Sequence, residues 1–580
     1  MYILGIHVGR HDSATCLFKD QSLVSFCKEE RLTREKNCGR KFKLLGINEV
    51  LKIAGITRRD IDAVALSRCY IPASCFYRKD RFWIEKFRKL RGRESNRKLF
   101  REMTLQHEYD EMKLINLDAL RDFLKVRKDT EISFSNHHYA HILGLLKYTI
   151  WPDEALFVSC DGGGDYAYYV AYYLKDNKLE CLCGADLPTF DKPQNEGASI
   201  GLAYCSVTEL LGFLPNRHEG KITGLAAFGK PMAGEQIRNF FKINPDGTID
   251  SEFKSREELQ AALKDICDKL SREDVAASIQ YATEKVGVDW VKTLLTMRPA
   301  KYIGMSGGVF SNVLLNQRIS ELPGIRETFV FPAMTDDGLP VGNCLDYIVR
   351  KVGVAGLKRE YLKDVYCGYP YTADDLVNAA KKQNFAIKEG VNIAQFTARL
   401  LEKHAIGAIF TARMEMGPRA LGARSILANP SRREINDSLN QRLERTEFMP
   451  FAPYVLDVDA EEVYEINDAN RIPCRFMTTT VNVRKKYHDM IPAVVHVDGT
   501  ARPQIVYRED NPLYYDILVE FKKLTGIPGL VNTSFNVHEE PIVNTPEEAL
   551  KALRDNRIDF LVCDKALISR ESRFFSETVN

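Results

Sequence analysis

A chain of 580 residues is longer than one hydrophobic core usually organises, so two or more domains are expected. With 45% hydrophobic and 28% charged residues and a formal net charge of +2, the composition argues against disordered, collagen-like and membrane-spanning classes. There is no run of about 18 apolar residues, and Met1–Ile6 reads as a first strand and not a leader, so a cytoplasmic protein without a membrane partner is expected. The fourteen cysteines are scattered and form no Cys-x-x-Cys pair, the usage of reduced, inert thiols.

Tyr2 to Leu17 alternates apolar residues about the polar turn Gly9-Arg-His-Asp-Ser13, and a second apolar run spans Gln21 to Cys27. That pattern predicts strand, tight turn, strand. Helical spacing follows from Lys43 to Ala54, and Ala63–Ser67 reads as a buried strand. Residues 72–130 are charged and helical in pattern and interrupt the strands as an insertion does. Strands resume at Ile132–Phe134 and Ala155–Cys160, the latter running into Asp161-Gly-Gly-Gly-Asp165, with Tyr166–Leu174 as the return arm. Residues 195–215 read as a helix and 232–298 as a largely helical block. Strand Tyr302–Met305 enters Ser306-Gly-Gly-Val-Phe-Ser-Asn312, and a helix follows. The glycine- and proline-bearing stretch 351–371 has no strong period and marks the boundary between a first domain, 1–355, and a second, 364–580. The second mixes helices (Asp374–Gln383, Ile393–Lys403) with strands (Ala408–Phe410, Phe560–Cys563). The predicted class is α/β in both.

Chemistry concentrates in a few segments. In Asn136-His-His-Tyr-Ala-His141, a helix puts His137 and His141 on one face, where two imidazoles can share a metal, with Asp161 and Asp336 as candidate carboxylate ligands. The alternative is a pair of ordinary histidines on a half-exposed helix. Three glycine turns follow apolar strands: Gly9-Arg-His-Asp12, Gly162-Gly163-Gly164 and Gly307-Gly308. With Asn312 they suit a nucleotide clamp of backbone N–H groups, which glycine leaves unobstructed. In the first turn His11 and Asp12 suit a general base and its orienting carboxylate, although Asp12 also suits a turn cap. Glu219-Gly-Lys221 reads as a wall near a ligand or as a surface ion pair, and Lys221 joins the catalytic candidates. In the second domain Arg413, Arg419 and Arg424 with Ser425 lie among glycine, proline and apolar residues, which suits bidentate phosphate binding. Arg502 in His496-Val-Asp-Gly-Thr-Ala-Arg502, and Asn532, Ser534 and Asn536 in Asn532-Thr-Ser-Phe-Asn536, complete the polar clusters.

Taken in order, Glu219-Gly-Lys…Gly224-Leu-Ala, Ser306-Gly-Gly…Asn312, Met416-Gly-Pro-Arg-Ala-Leu-Gly…Arg424-Ser-Ile, His496–Arg502 and Asn532–Asn536 resemble the NodU/CmcH/TobZ-type O-carbamoyltransferase family over nearly the whole chain. The resemblance implies a first domain with an actin-like (ASKHA) fold similar to the tRNA-threonylcarbamoyl transferase, and a YrdC-like second domain. It implies that the second domain makes carbamoyl-AMP from carbamoyl phosphate and ATP, with magnesium accompanying ATP. The first domain would then transfer the carbamoyl group to an acceptor hydroxyl. It implies a transition metal, iron in the family pattern, on His137, His141, Asp161 and Asp336, and it is compatible with a homodimer. One segment departs from the family: Asn440–Pro453 carries Leu443 and Met449 where a Lys and an Arg are expected, with Arg442 and Arg445 as candidate substitutes.

The family's usual acceptors are small hydroxylated molecules and sugars. From Arg78 to Arg101, however, eleven Lys/Arg stand against three Asp/Glu, interleaved with Phe82, Trp83, Phe87 and Phe100. That pattern suits either a solvated helix or DNA bound through phosphates and stacked bases, with a hydroxymethylated base as acceptor. A fused tRNA threonylcarbamoylation enzyme and a non-enzymatic actin-like nucleotide switch are the rival functions.

Overall fold

The first five strands are β1 (Tyr2–His7), β2 (Ala14–Lys19), β3 (Ser22–Lys28), β4 (Ala63–Ser67) and β5 (Glu131–Ser135). They pair in the order β3-β2-β1-β4-β5, the first three as an antiparallel meander and the last two parallel to β1. A second sheet repeats this order. β6 (Ala155–Gly164), β7 (Ala167–Lys175) and β8 (Lys178–Cys183) form the meander, and Tyr302–Ser306 and Glu327–Val330 are the parallel additions to β6. This duplicated five-stranded sheet is the actin-like arrangement. The structure is a computed structural model that describes residues 1–39, 45–67, 70–78, 114–152, 154–184, 194–445 and 450–577.

Strands β1 and β4 are buried on both faces, as parallel strands covered on each side must be. Helices His137–Lys147 and Leu339–Val352 share one core with both sheets, where Ile142, Leu145, Val341 and Cys344 meet Ile3 and Ala63 from the first sheet and Phe157 and Val170 from the second. The helix at His137 starts where Asn136 accepts a hydrogen bond from the Tyr139 N–H, a cap of about 1 kcal/mol.

A third, eight-stranded mixed sheet runs in the order Ala386–Lys388, Leu567–Ser569, Phe560–Val562, Gly407–Phe410, Arg424–Ala428, Gly529–Ser534, Ala452–Leu456, Gln504–Val506. Helices Ile393–Glu402 and Pro512–Thr525 cover one face, and Ala373–Lys382 and Pro546–Arg554 share the core of the other. The two halves are joined. Met416, Leu421, Ala452 and Met477 enter the core between the first two sheets, and Arg34 donates to the Pro541 and Ile542 carbonyls and pairs with Glu548 at 3.3 Å.

Two predicted elements differ. The helix expected over 195–215 is a short turn, Glu196–Ala198, and a helix, Ile200–Leu210, because Ser199 caps a new start and Gly212 turns the chain at φ 80°. The block 232–298 contains a hairpin, Lys242–Ile243 with Ile249–Asp250, before its two long helices. Apart from Arg78, the basic segment to Arg101 lies outside the described residues, as do most of 72–130; helix Leu117–Leu124 is described. Among the described residues, no helix is long and apolar enough to cross a membrane.

Candidate functional site

The carboxyl ends of the parallel strands converge on one cavity, the place where such sheets present ligand sites. His137 and His141 stand on the first turns of their helix, Asp161 follows the regular part of β6, and Asp336 precedes the helix at Leu339. The four donor atoms lie within 4.8 Å of one another and all four residues line a shared, buried point. His137 Nε2 is 3.4 Å from Asp336 Oδ1 and 3.9 Å from Asp161 Oδ2, and His141 Nε2 is 3.6 Å from Asp161 Oδ2. Both Nε2 atoms are buried without a hydrogen-bond partner. His141 Nδ1 is engaged by the Ser306 hydroxyl at 3.1 Å, which leaves Nε2 to face the carboxylates. His138, between them, contacts the Ser159 hydroxyl and the Ala167 carbonyl at 2.9 Å each, so both its nitrogens are occupied.

The electrostatics fit a cation. Burial opposes charge on His137, but the fields of Asp336 and Asp161 outweigh it and push its pKa up to about 9. Burial likewise opposes ionisation of Asp336, yet His137 and His7 hold it down at about 2. At His141 burial, aided by the charge on His137, outweighs the two aspartates, and its pKa falls. Two imidazoles and two carboxylates converging on one point of the cavity wall are a donor set suited to a first-row transition metal, and an ion there would replace the proton that His137 otherwise carries. Gly164 gives the room: a Cβ on it would lie 2.2 Å from His137 Cγ.

Beside this cluster, Asp12 Oδ2 lies 3.1 Å from His11 Nδ1 and its Oδ1 lies 2.6 Å from Lys28 Nζ. Burial works against a charged His11, but Asp12 and the nearby Asp336 raise its pKa to about 9. Lys28 is itself buried, 3.4 Å from Asp337 and 3.9 Å from Glu30. Sequence reading missed this lysine because a charged run after a strand, Lys28-Glu-Glu-Arg31, looks like a solvated turn. All four of its residues are buried.

The glycine turns lie on the same wall. Asp161 accepts from the Gly308 N–H at 2.9 Å, tying the turn after Tyr302–Ser306 to the end of β6. Gly307 adopts φ 99°, and a side chain there would meet the Cys160 carbonyl at 2.3 Å. Gly162, Gly163, Gly164, Gly308, Asn312 and Lys221 line the cavity, while Gly307 shapes the turn without lining it. Asn312 caps the following helix and exchanges hydrogen bonds with Gln280.

In the second half, Arg419, Arg502, Asn532, Ser534 and Asn536 line the same cavity, and Arg445 joins them. The Arg445 guanidinium donates to the hydroxyls of Thr533 (2.8 Å) and Ser534 (3.0 Å) and to Asn536 Oδ1 (2.9 Å), which fixes its orientation. Arg442 is elsewhere, paired with Asp559 at 2.7 Å, and Leu443 is core; Met449 lies outside the described residues. Three expected phosphate ligands do not reach the cavity. Arg413 donates to the carbonyls of Gly368, Cys367 and Val24. Arg424 is fully buried, stacked 3.6 Å from the Phe410 ring centroid and donating to the Thr411 and Ala423 carbonyls. Ser425 accepts from the Gly422 N–H. Arg424 and Ser425 open the strand Arg424–Ala428, which is buried on both faces, so both side chains are enclosed, a consequence that a motif read as a loop conceals.

The cavity has a volume of about 1620 Å³ and is continuous from the His11 turn to Arg445 and Arg502. Its rim carries Lys36, Arg217, His218 and Glu539, which sequence reading did not single out; Arg217 and His218 pair with Glu539 at 2.6 and 2.8 Å across the two halves.

Comparison with known proteins bears on the family of the chain. The family models described as carbamoyltransferase N-terminus and carbamoyltransferase C-terminus match residues 2–345 and 398–570. The nodulation protein NolNO of Sinorhizobium fredii is 30% identical over 97% of this chain and 79% of its own length. The uncharacterized protein MJ1058 of Methanocaldococcus jannaschii is 34% identical over 79% of this chain and 77% of its own. Among solved structures, full-length HypF in its phosphate- and nucleotide-bound form aligns with a TM-score of 0.32 and 13% identity, covering 62% of this chain and 56% of HypF. Matched along both halves by family models that meet at one shared cavity, the chain belongs to the carbamoyltransferase family, enzymes that transfer a carbamoyl group.

Proposed function

We propose that the chain is an ATP-dependent O-carbamoyltransferase working in two steps at the two ends of one cavity. In the first step, water hydrolyses carbamoyl phosphate to carbamate and phosphate, and a carbamate oxygen then attacks the α-phosphorus of ATP. Pyrophosphate leaves and carbamoyl-AMP forms. Residues 364–580 carry this step in our reading, as a YrdC-like unit, with Arg419, Arg445 and Arg502 holding phosphates and Ser534 and Asn536 orienting them. In the second step, the acceptor hydroxyl attacks the carbamoyl carbon, its proton passes to His11 Nε2, and AMP leaves. Residues 1–355 carry this step. Asp12 keeps His11 in the tautomer whose Nε2 lone pair is free, while the backbone N–H groups of the Gly162–Gly164 and Gly307–Gly308 turns and Lys221 receive the adenylate phosphate.

His137, His141, Asp161 and Asp336 would hold a transition-metal ion, iron in the family pattern, which would supply positive charge to stabilise the carbamoyl oxygen as it takes on negative charge; magnesium would accompany ATP. The observation that carries the reading is the single cavity joining the arginine cluster to His11 and the buried His/Asp quartet. A labile adenylate needs such a passage, because it hydrolyses in open solvent.

The acceptor presents a hydroxyl. A sugar or another small molecule is the first class; the basic, aromatic-interleaved segment from Arg78 to Arg101 favours hydroxymethylated DNA as the second. Purified protein with ATP and carbamoyl phosphate is to be offered a panel of a sugar, a nucleoside and hydroxymethylated DNA, read by mass spectrometry. The reading predicts pyrophosphate that depends on both co-substrates and a gain of one carbamoyl group on a panel member. Pyrophosphate formed without carbamoyl phosphate counts against it.

A further inference from the structure

We infer that His7 positions Asp336 in the metal centre, taking one carboxylate oxygen so that the other is left for the ion. The inference rests on reading the His/Asp quartet as a metal site. His7 is the last residue of β1 and is 2% exposed. Its Nδ1 lies 2.7 Å from the hydroxyl of Ser67, the last residue of the neighbouring β4. Its Nε2 is buried without a hydrogen-bond partner and points at Asp336 Oδ2, 3.5 Å away. The other oxygen, Oδ1, faces His137 Nε2 at 3.4 Å and His141 Nε2 at 3.9 Å. The carboxylate is thus divided, with one oxygen inside the quartet and one turned to His7.

His7 lies outside the set of four whose donor atoms lie within 4.8 Å of one another, and its Nε2 faces the Asp336 oxygen turned away from that set. Its role follows from the carboxylate it faces. Asp336 Oδ2 beside Nε2 favours the ring proton on that nitrogen, and the Ser67 hydroxyl, which can donate or accept, then donates to Nδ1. A ligating carboxylate held in this way loses rotational freedom and keeps a fixed oxygen toward the ion. The turn after β1 is built around the ring: a Cβ on Gly9 would lie 2.5 Å from His7 Nε2, so glycine is what lets the imidazole lie there. The signal in the sequence was faint, since a histidine closing an apolar strand reads as a strand end.

Cobalt(II) is a suitable probe, because its visible absorption reports the ligand field and its binding is measured without any turnover. Apo protein would be titrated with cobalt(II) against a competing chelator, for wild type and for His7→Phe, His7→Gln and Ser67→Ala, with the apo melting temperature recorded for each. Wild type is expected to take up one ion with a defined visible spectrum. His7→Phe, which offers no N–H, weakens binding by about 10–100-fold and alters the spectrum. His7→Gln, whose amide N–H replaces the ring N–H, recovers most of the affinity. Ser67→Ala, which frees the ring, weakens binding in the same direction even where His7→Phe fails to fold. If wild type binds cobalt and neither His7→Phe nor Ser67→Ala changes affinity or spectrum, the assignment of His7 is overturned while the quartet stands. If wild type takes up neither cobalt, iron, zinc nor manganese, the metal reading falls and the assignment with it.

Discussion

Lys28 Nζ lies 2.6 Å from Asp12 Oδ1, and the other oxygen of Asp12 is 3.1 Å from His11 Nδ1. Lysine, carboxylate and imidazole form a line along the cavity wall. In the proposed mechanism Lys28 holds Asp12, and through it orients His11. Lys28→Gln is expected to lower the transfer rate roughly 10- to 100-fold, within the range for a misoriented general base. Placed on a His11→Ala background, the same substitution should cost less than about twofold. Equal losses in both backgrounds would show a purely structural lysine. Rates from single turnovers of preformed carbamoyl-adenylate supply both numbers.

Arg445 and Arg413 are expected to fail differently. Arg445 is anchored by Thr533, Ser534 and Asn536 at the cavity wall, so Arg445→Lys, which loses the planar fork, should raise the KM for carbamoyl phosphate or ATP more than tenfold at nearly constant melting temperature. Arg413 is committed to three backbone carbonyls that join β3 to the second half. Arg413→Ala should cost about 2–3 kcal/mol of stability, by the worth of charged hydrogen bonds, and leave the KM values alone. Calorimetry and steady-state kinetics on the two variants separate these outcomes.

These two arginines mark how far the sequence could be read. Strand order and turn positions were legible, because apolar runs ending in glycine turns report a backbone geometry directly; β1, β6 and the strand at Tyr302 lie where the pattern puts them. The His137/His141 pairing with Asp161 and Asp336 was legible because i, i+4 spacing on a capped helix fixes a common face. Side-chain direction in the second half was not legible. Arg413, Arg419 and Arg424 look alike in sequence, and only the sheet pairing of Phe410 with Arg424 turns the last inward. Lys28 and His7 were missed for the opposite reason. Their significance lies in partners from distant segments, Asp337 for one and Ser67 for the other.

The pKa of His11 gives a pH dependence of known sign. An unfolded histidine titrates near 6.5, and Asp12 with Asp336, acting against burial, raises the folded value to about 9. The stabilisation from its charged form is therefore complete below about pH 6.5 and lost as pH rises through about 9. In apo protein, wild type should melt above His11→Gln at pH 6, and the gap should close by pH 9.5. Activity runs the other way, since the base works unprotonated: transfer should climb with pH until His11 has lost its proton. A gap in melting temperature that widens with pH would contradict the assignment.

Gly164 faces the His137 ring so closely that a methyl group would sit 2.2 Å from its Cγ. Gly164→Ala is expected to displace that imidazole and reduce metal affinity by more than tenfold, while Gly162→Ala, where a Cβ meets nothing within 4 Å, leaves it unchanged. Metal content after dialysis against graded chelator concentrations checks both.

The most direct test of the central claim follows one isotope-labelled carbamoyl group. Wild-type protein and His11→Ala would be incubated with ATP and labelled carbamoyl phosphate, quenched within a turnover, and examined for labelled carbamoyl-AMP and labelled acceptor. The account predicts labelled adenylate from both proteins, with passage to the acceptor only, or very predominantly, in wild type. Label that reaches the acceptor without ATP, or equally well without His11, would contradict it.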